Sequence, residues 1–302
     1  MITNDPPLPN QSTIEPELIP DPNNVQRVVS APQPGNERAN TIIDCVKAFF
    51  TWLGSVILLL VVPLVVILPY FLYLSVNGTA PTAESLTQDK TFILLSIVGV
   101  IPAHLLTLLL AWVLISEFGR RPFWKSLNFF WPPSLGPWKG LGISVVCALV
   151  LLGLGVLVTY LIGGGKTDLD ILIESSYQAR LVTAFLAVAT APLVEEIVYR
   201  GVLYPASQRL VGMGWAIAIV SFLFAGVHYW QYQKNLGVFT AIVILSISLT
   251  VIRAVTDSLM IPFVIHLIFN GIQSIYFVIE PLVTKPKGEP APALIQAILH
   301  LF

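Results

Sequence analysis

The chain has 302 residues, 55% of them hydrophobic and only 11% charged, with a net charge of −1 and a mean hydropathy of +0.80. Soluble domains carry about 25% charged residues, so the composition excludes an ordinary soluble globule and indicates an integral membrane protein. The absence of a basic excess gives no footing for nucleic acid, and Cys45 and Cys147 are too few and too distant for a disulfide framework or a thiolate metal site.

Residues 1–45 differ from the rest. Eight prolines from Pro6 to Pro34 interrupt any helix, and polar residues fill the gaps, so a disordered tail is expected. No basic start with an apolar core follows the first residue, so a signal peptide is not expected. The first apolar span is expected from Ala48 to Val76, with Pro63 and Pro69 inside it and more than the ~20 residues that a crossing needs. The second, Thr91 to Ser116, contains His104 as its one titratable group. The segment Glu117–Lys139 that follows holds Arg120, Arg121, Lys125 and Lys139 with Trp124, Trp131 and Trp138, which marks a cytoplasmic interface. The third span, Gly140 to Ile162, ends in three glycines. The fourth begins near Leu181 and runs into Glu195-Glu196. The fifth is expected over Val211–Trp230 with His228, the sixth over Leu236–Ile252, and the seventh over Ser258–Ile279 with His266 and Asn270. Ala291–Phe302 is apolar but short for a crossing and fits an interfacial helix.

The expected fold is an all-α polytopic bundle of seven or eight transmembrane helices with an intramembrane polar site. Residues 46–165 supply three N-terminal helices, residues 178–280 the polar core, and residues 281–302 a tail. Leaving out Arg200, basic residues on the N-terminal side (Arg27, Arg38, Lys47, Arg120, Arg121, Lys125, Lys139, Arg209, Arg253) outnumber those on the other (Lys90, Lys166, Arg180, Lys234, Lys285, Lys287). This favours a cytoplasmic N-terminus, in a plasma or inner membrane. Nothing in the sequence fixes an oligomeric state.

Glu195, Glu196 and Arg200 end the uncharged run Leu181–Val194. Desolvating two carboxylates costs several kcal/mol unless they are paired or used. At i, i+4, Glu196 and Arg200 share a helix face, while Glu195 points about 100° away. His266 and Asn270 also share a face, and Phe224 lies one turn before His228. Three helices thus present polar faces that lipid rejects, so these faces should meet. A carboxylate with an imidazole can hold and deprotonate a water, and an imidazole N–H with an amide N–H can stabilise an oxyanion. The same residues have blander readings: Glu196–Arg200 as a structural ion pair, His104 as a packing residue, Asn270 as a cross-helix hydrogen bond worth ~0.6 kcal/mol. Glu195, His228 and His266 also have the ligand types of a His₂Glu zinc site, although no single helix carries an i, i+4 histidine pair.

The motifs Glu195-Glu196-x-x-x-Arg200, Phe224-x-x-x-His228 and His266-x-x-x-Asn270, in this order on successive spans, resemble the CPBP family. This is the family of CAAX prenyl protease 2-type and bacteriocin-processing membrane proteases, also called Abi, and the resemblance covers roughly residues 178–280. It implies an intramembrane glutamate endopeptidase that acts on a membrane-associated protein or peptide and needs no cofactor. Glu195 and His228 would activate the water, His266 and Asn270 would form the oxyanion hole, and Glu196, Arg200 and Phe224 would position the site. A non-catalytic scaffold or immunity-type protein and a zinc-dependent protease stay open beside it. His-Glu-x-x-His, Gly-x-Gly-Asp and Gly-x-Ser-Gly motifs are absent.

Overall fold

The computed structural model describes residues 34–78 and 81–283. Most of the expected tail, the short apolar C-terminal segment and His300 lie outside them. The chain divides into two units at Arg38, and all that follows concerns Ala39 onward, apart from the first residues of α1.

Every described element is helical. In chain order they are α1 (Pro34–Val76), α2 (Ala83–Gln88), α3 (Lys90–Val98), α4 (Val100–Ser116), α5 (Phe123–Ser126), α6 (Gly136–Ile162), α7 (Asp168–Ser175) and α8 (Tyr177–Phe185). A π-helical segment, π1 (Leu186–Thr190), leads to α9 (Ala191–Glu195), and a second, π2 (Glu196–Leu203), leads to α10 (Tyr204–Val211). The chain continues through α11 (Met213–Tyr232), α12 (Leu236–Thr256) and α13 (Met260–Val283). Seven stretches are long and apolar enough to cross a membrane: Asn40–Val76, Lys90–Ser116, Gly136–Ile162, Tyr177–Val211, Met213–Tyr232, Leu236–Thr256 and Met260–Pro281. This is a polytopic membrane bundle of the expected class, and its described spans number seven.

Two boundaries differ from expectation for one reason. Proline is tolerated in the first turn of a helix, where its missing N–H has no intrahelical partner. Pro34 is the first residue of α1, and no proline follows before Pro63, so residues 34–45, expected in the tail, are helical. Likewise α6 starts at Gly136 with Pro137 in its first turn, not at Gly140. The fourth span also begins earlier than Leu181. Ser176 accepts a hydrogen bond from the Ala179 amide and caps α8 there.

Helix α12 packs between α6 and α11, and α13 packs against α6, α8 and π1. Small residues permit the closest approaches, as is usual where lipid offers no hydrophobic drive for association. A Cβ at Gly237 would stand 2.7 Å from the Thr159 Cα, so the start of α12 lies directly on α6. Helix α1 is the outlier. Leu60, Leu64 and Val65 on it are all more than half exposed, a surface suited to lipid. Lys47 ties α1 to Glu117 at the end of α4 by an ion pair of 2.7 Å, and the Lys47 ammonium holds the Glu117 carboxyl below its usual range. Further along α1, the Tyr70 hydroxyl donates to Asp89, which also caps α3.

Candidate active site

The site is built on the fourth span, which is not a regular α-helix. Pro192 has no N–H to donate, and its ring would clash with a carbonyl one turn back. The π1 turn immediately before it widens the helix and relieves that clash. After one α-helical turn the chain widens again through π2, whose eight residues are all buried. Glu195 is the last residue of α9 and Glu196 the first of π2, so the two carboxylates diverge at the junction.

Glu196 turns into protein. Its side chain and that of Arg200 are fully buried, with Arg200 Nη1 3.0 Å from Glu196 Oε1. Arg200 donates from Nε to Thr250 Oγ1 at 3.2 Å and from Nη2 to the carbonyl and hydroxyl of Ser246, both at 3.0 Å. Its guanidinium lies 4.5 Å over the Phe224 ring, a cation–π contact. Arg253, also buried, donates to the Arg200 carbonyl and pairs with Asp257 at 2.8 Å. Glu196 Oε1 also accepts from His266 Nδ1 at 2.9 Å.

Glu195 turns the other way, into a chamber of about 1000 Å³ that runs between the helices. Its side chain is 21% exposed, against 0% for Glu196. His228 Nε2 stands 3.8 Å from Glu195 Oε1, and His266 Nε2 stands 3.7 Å from Oε2. These distances exceed a direct hydrogen bond and suit a shared water. The other ring nitrogens fix the tautomers. His228 Nδ1 faces the Phe224 carbonyl at 2.8 Å. A carbonyl only accepts, so Nδ1 carries the hydrogen and Nε2 of the neutral ring presents a lone pair to Glu195. The same holds for His266, whose Nδ1 donates to Glu196. Phe224 stacks on His228 at 4.7 Å between centroids, and Tyr232 stacks on its other flank at 6.3 Å. Among the described residues, no group of three or more His, Cys, Asp or Glu side chains is arranged to hold a metal ion.

Residues 177–272 match the family described as type II CAAX prenyl endopeptidase Rce1-like. Over this stretch, about a third of its length, the chain is similar to that family. No curated protein and no solved structure matches the chain. The Rce1-like segment starts with α8 and ends within α13, so it contains every residue of the three motifs, while α1 to α7 lie outside it. The family resemblance drawn from those motifs is borne out over this span.

Within the Rce1-like segment the structure gathers Glu195, His228, His266 and Phe224 on the chamber and places the buried Glu196 and Arg200 behind them. Asn270 lines the same chamber. One of its amide hydrogens is donated to the Ala187 carbonyl in π1, at 3.0 Å, so one donor of the amide is engaged and one is left. His266 carries a hydrogen on Nε2 only when both ring nitrogens are protonated, because Nδ1–H is directed at Glu196. Sequence reading passed over Ser246, Thr250 and Arg253. Their spacing of i, i+4, i+7 on α12 is one helix face, and it is the face that receives Arg200. His104, read as a packing residue, lines the chamber and meets Thr190 Oγ1 through Nδ1 at 2.8 Å.

Proposed function

We propose that this protein is an intramembrane endopeptidase that hydrolyses a peptide bond of a membrane-associated protein or peptide with a water activated by Glu195. The observation that carries this reading is the convergence of the Glu195 carboxylate with the Nε2 atoms of His228 and His266, at 3.8 and 3.7 Å, inside a chamber within the bundle. A water there can donate one hydrogen to Glu195 and the other to His228 Nε2. Glu195 takes the first proton as the water oxygen attacks the substrate carbonyl, and a tetrahedral oxyanion forms. General-base help of this kind contributes about 10²–10⁴-fold.

The oxyanion has two donors within the cluster. One is the remaining amide hydrogen of Asn270. The other is Nε2–H of doubly protonated His266, with Glu196 facing Nδ1. Glu195 and Glu196 then balance Arg200 and the His266 imidazolium, so the buried site is neutral overall, as burial requires. Each such donor is worth roughly 10²–10³-fold. Glu195 returns its proton to the amide nitrogen as the C–N bond breaks, releasing a carboxylic acid and an amine.

The test compares membrane-peptide termini in cells carrying the native chain and cells carrying Glu195→Gln. New termini that depend on Glu195, with both proteins present in the membrane at equal amount, are the expected result. Identical termini in the two cell lines would instead assign the chain to a non-catalytic scaffold.

A further inference from the structure

A third imidazole meets the chamber from outside the Rce1-like segment. His104 lies on the second span, in α4, and lines the chamber wall together with Ile97, Val100 and Thr107. Its ring is buried, and burying an imidazole in an apolar span costs free energy unless its nitrogens have partners. The protein uses one of the two. Nδ1 meets Thr190 Oγ1 at 2.8 Å. Among the described residues Nε2 meets no partner, yet it is not sealed off in protein, so it opens on the chamber.

The Thr190 hydroxyl decides which nitrogen carries the hydrogen. Its own hydrogen goes to the Leu186 carbonyl one turn back, at 3.3 Å, a bond that helical threonines commonly make. Its oxygen then accepts Nδ1–H of His104, and Nε2 keeps a lone pair. His228 has the same arrangement, with Nδ1–H given to a protein oxygen and Nε2 left for the cavity. The Glu195 carboxylate is near enough for its charge to act on the His104 ring, so this lone pair belongs to the same part of the chamber as the carboxylate.

A peptide in this chamber needs such a lone pair. Each of its residues except proline carries an N–H that loses its water on entry, and a buried donor left unmade is costly. Val100 and Ile97, one and two turns before His104 on the same wall, have side chains with no acceptor to offer. In the proposed reaction Glu195 and His228 hold the water, and His266 and Asn270 face the oxyanion, so none of these four serves the peptide N–H groups.

We propose that His104 is a substrate-binding residue, with Nε2 accepting a hydrogen bond from a main-chain N–H of the peptide beside the scissile bond. His104 has this role only if the endopeptidase reading holds, and it brings to the site a residue that the family match over 177–272 does not reach. The contact discriminates against proline at the bonded position, because proline has no N–H.

Two substitutions separate the two nitrogens. The amide of Asn stands where Nδ1 stood and keeps the bond to Thr190, but puts nothing at the Nε2 position. The amide of Gln reaches the Nε2 position and gives up Thr190. Membrane-peptide termini are compared in cells carrying the native full chain, Glu195→Gln, His104→Asn or His104→Gln at equal amount in the membrane. Termini that depend on Glu195 should become scarce with His104→Asn and persist with His104→Gln. A synthetic peptide spanning one such terminus then gives kinetic constants for the purified chains. His104→Asn should raise KM roughly tenfold with kcat near the native value, and His104→Gln should restore most of the loss. Scanning that peptide with N-methyl amino acids should find one position beside the scissile bond where methylation raises KM for the native chain and adds nothing in His104→Asn. Native kinetics in His104→Asn, with a lower melting temperature in His104→Gln, would make His104 a strut between α4 and π1 and overturn the proposal. The absence of any position beside the scissile bond that is sensitive to methylation in the native chain would overturn it even if neither variant folded. Finding no Glu195-dependent terminus would overturn the peptidase reading and the role of His104 together, whereas Glu195-dependent termini that persist in His104→Asn would overturn the role of His104 alone.

Discussion

Glu195 and Glu196 are adjacent in the chain and open onto two different regions. Behind Glu196 lies a dry girdle in which Arg200, Ser246, Thr250, Arg253 and His266 are all buried and hydrogen-bonded. In front of Glu195 lies the chamber, where the nearest polar side-chain atoms to the carboxylate among the described residues are two imidazole nitrogens at 3.7–3.8 Å. The same functional group is thus held rigidly in one region and left available in the next. A buried ion pair contributes little net stability by itself, but removing one partner strands a charge. An underused carboxylate beside bare imidazole nitrogens is what proton transfer requires. The girdle fixes where Arg200 and His266 stand, and the chamber uses what they hold in place.

The sharpest way to break this contrast is to neutralise the two carboxylates separately. Glu195→Gln should reduce turnover by about 10²–10⁴-fold or to background while the melting temperature in detergent stays near that of the native chain. Glu196→Gln should instead destabilise the fold by about 3–5 kcal/mol, since Arg200 then keeps its charge in the girdle without its partner. Thermal unfolding beside turnover reads both variants, and equal effects on both quantities in both variants would erase the distinction.

Asn270 stands between the two regions, with one amide hydrogen on Ala187 and one left for the chamber. Asn270→Ala should lower kcat by roughly 10²-fold with little change in KM. A change in melting temperature alone would move Asn270 wholly into the scaffold. A smaller effect is expected inside the girdle. Thr250→Val removes the acceptor for Arg200 Nε and should cost about 1–3 kcal/mol, the penalty of leaving a buried donor unmade. Turnover per folded molecule should not change. The smallest effect expected is none: strong chelators should leave activity intact. Elemental analysis finding about one zinc per chain, lost in His228→Ala, would transfer the water to a metal.

Much of the scaffold was legible in the chain. Apolar runs of sufficient length mark their own spans, because a backbone in lipid must satisfy its hydrogen bonds within one helix. Seven or eight were expected, and seven are found among the described residues. Their ends were less legible, since Pro34 and Pro137 read as breakers although each sits in a first turn. Three spaced motifs were enough to bring out the family, because intramembrane ionisable groups are costly and therefore sparse. The polar face Ser246, Thr250 and Arg253 was written in α12 as well, but hydroxyls hydrogen-bonding within their own helix are common in membrane spans and drew no attention.

The sequence by itself determined that Glu196 and Arg200 could pair, since a four-residue spacing is a local property of a helix. It also determined that the polar groups of the fourth, fifth and seventh spans had to meet, since lipid rejects them. Only the tertiary structure decided the heights at which they meet. A regular up-and-down reading sets Glu195 and His228 at different depths, whereas the fourth span runs over Tyr177–Val211 with π turns on both sides of Pro192 and brings them to 3.8 Å. Only the tertiary structure, too, decided that His266 spends its Nδ1–H on Glu196 and that Asn270 spends a hydrogen on Ala187. Hydrogen-bond partners on other helices depend on rotation and depth, and residue spacing along one helix carries no information about either.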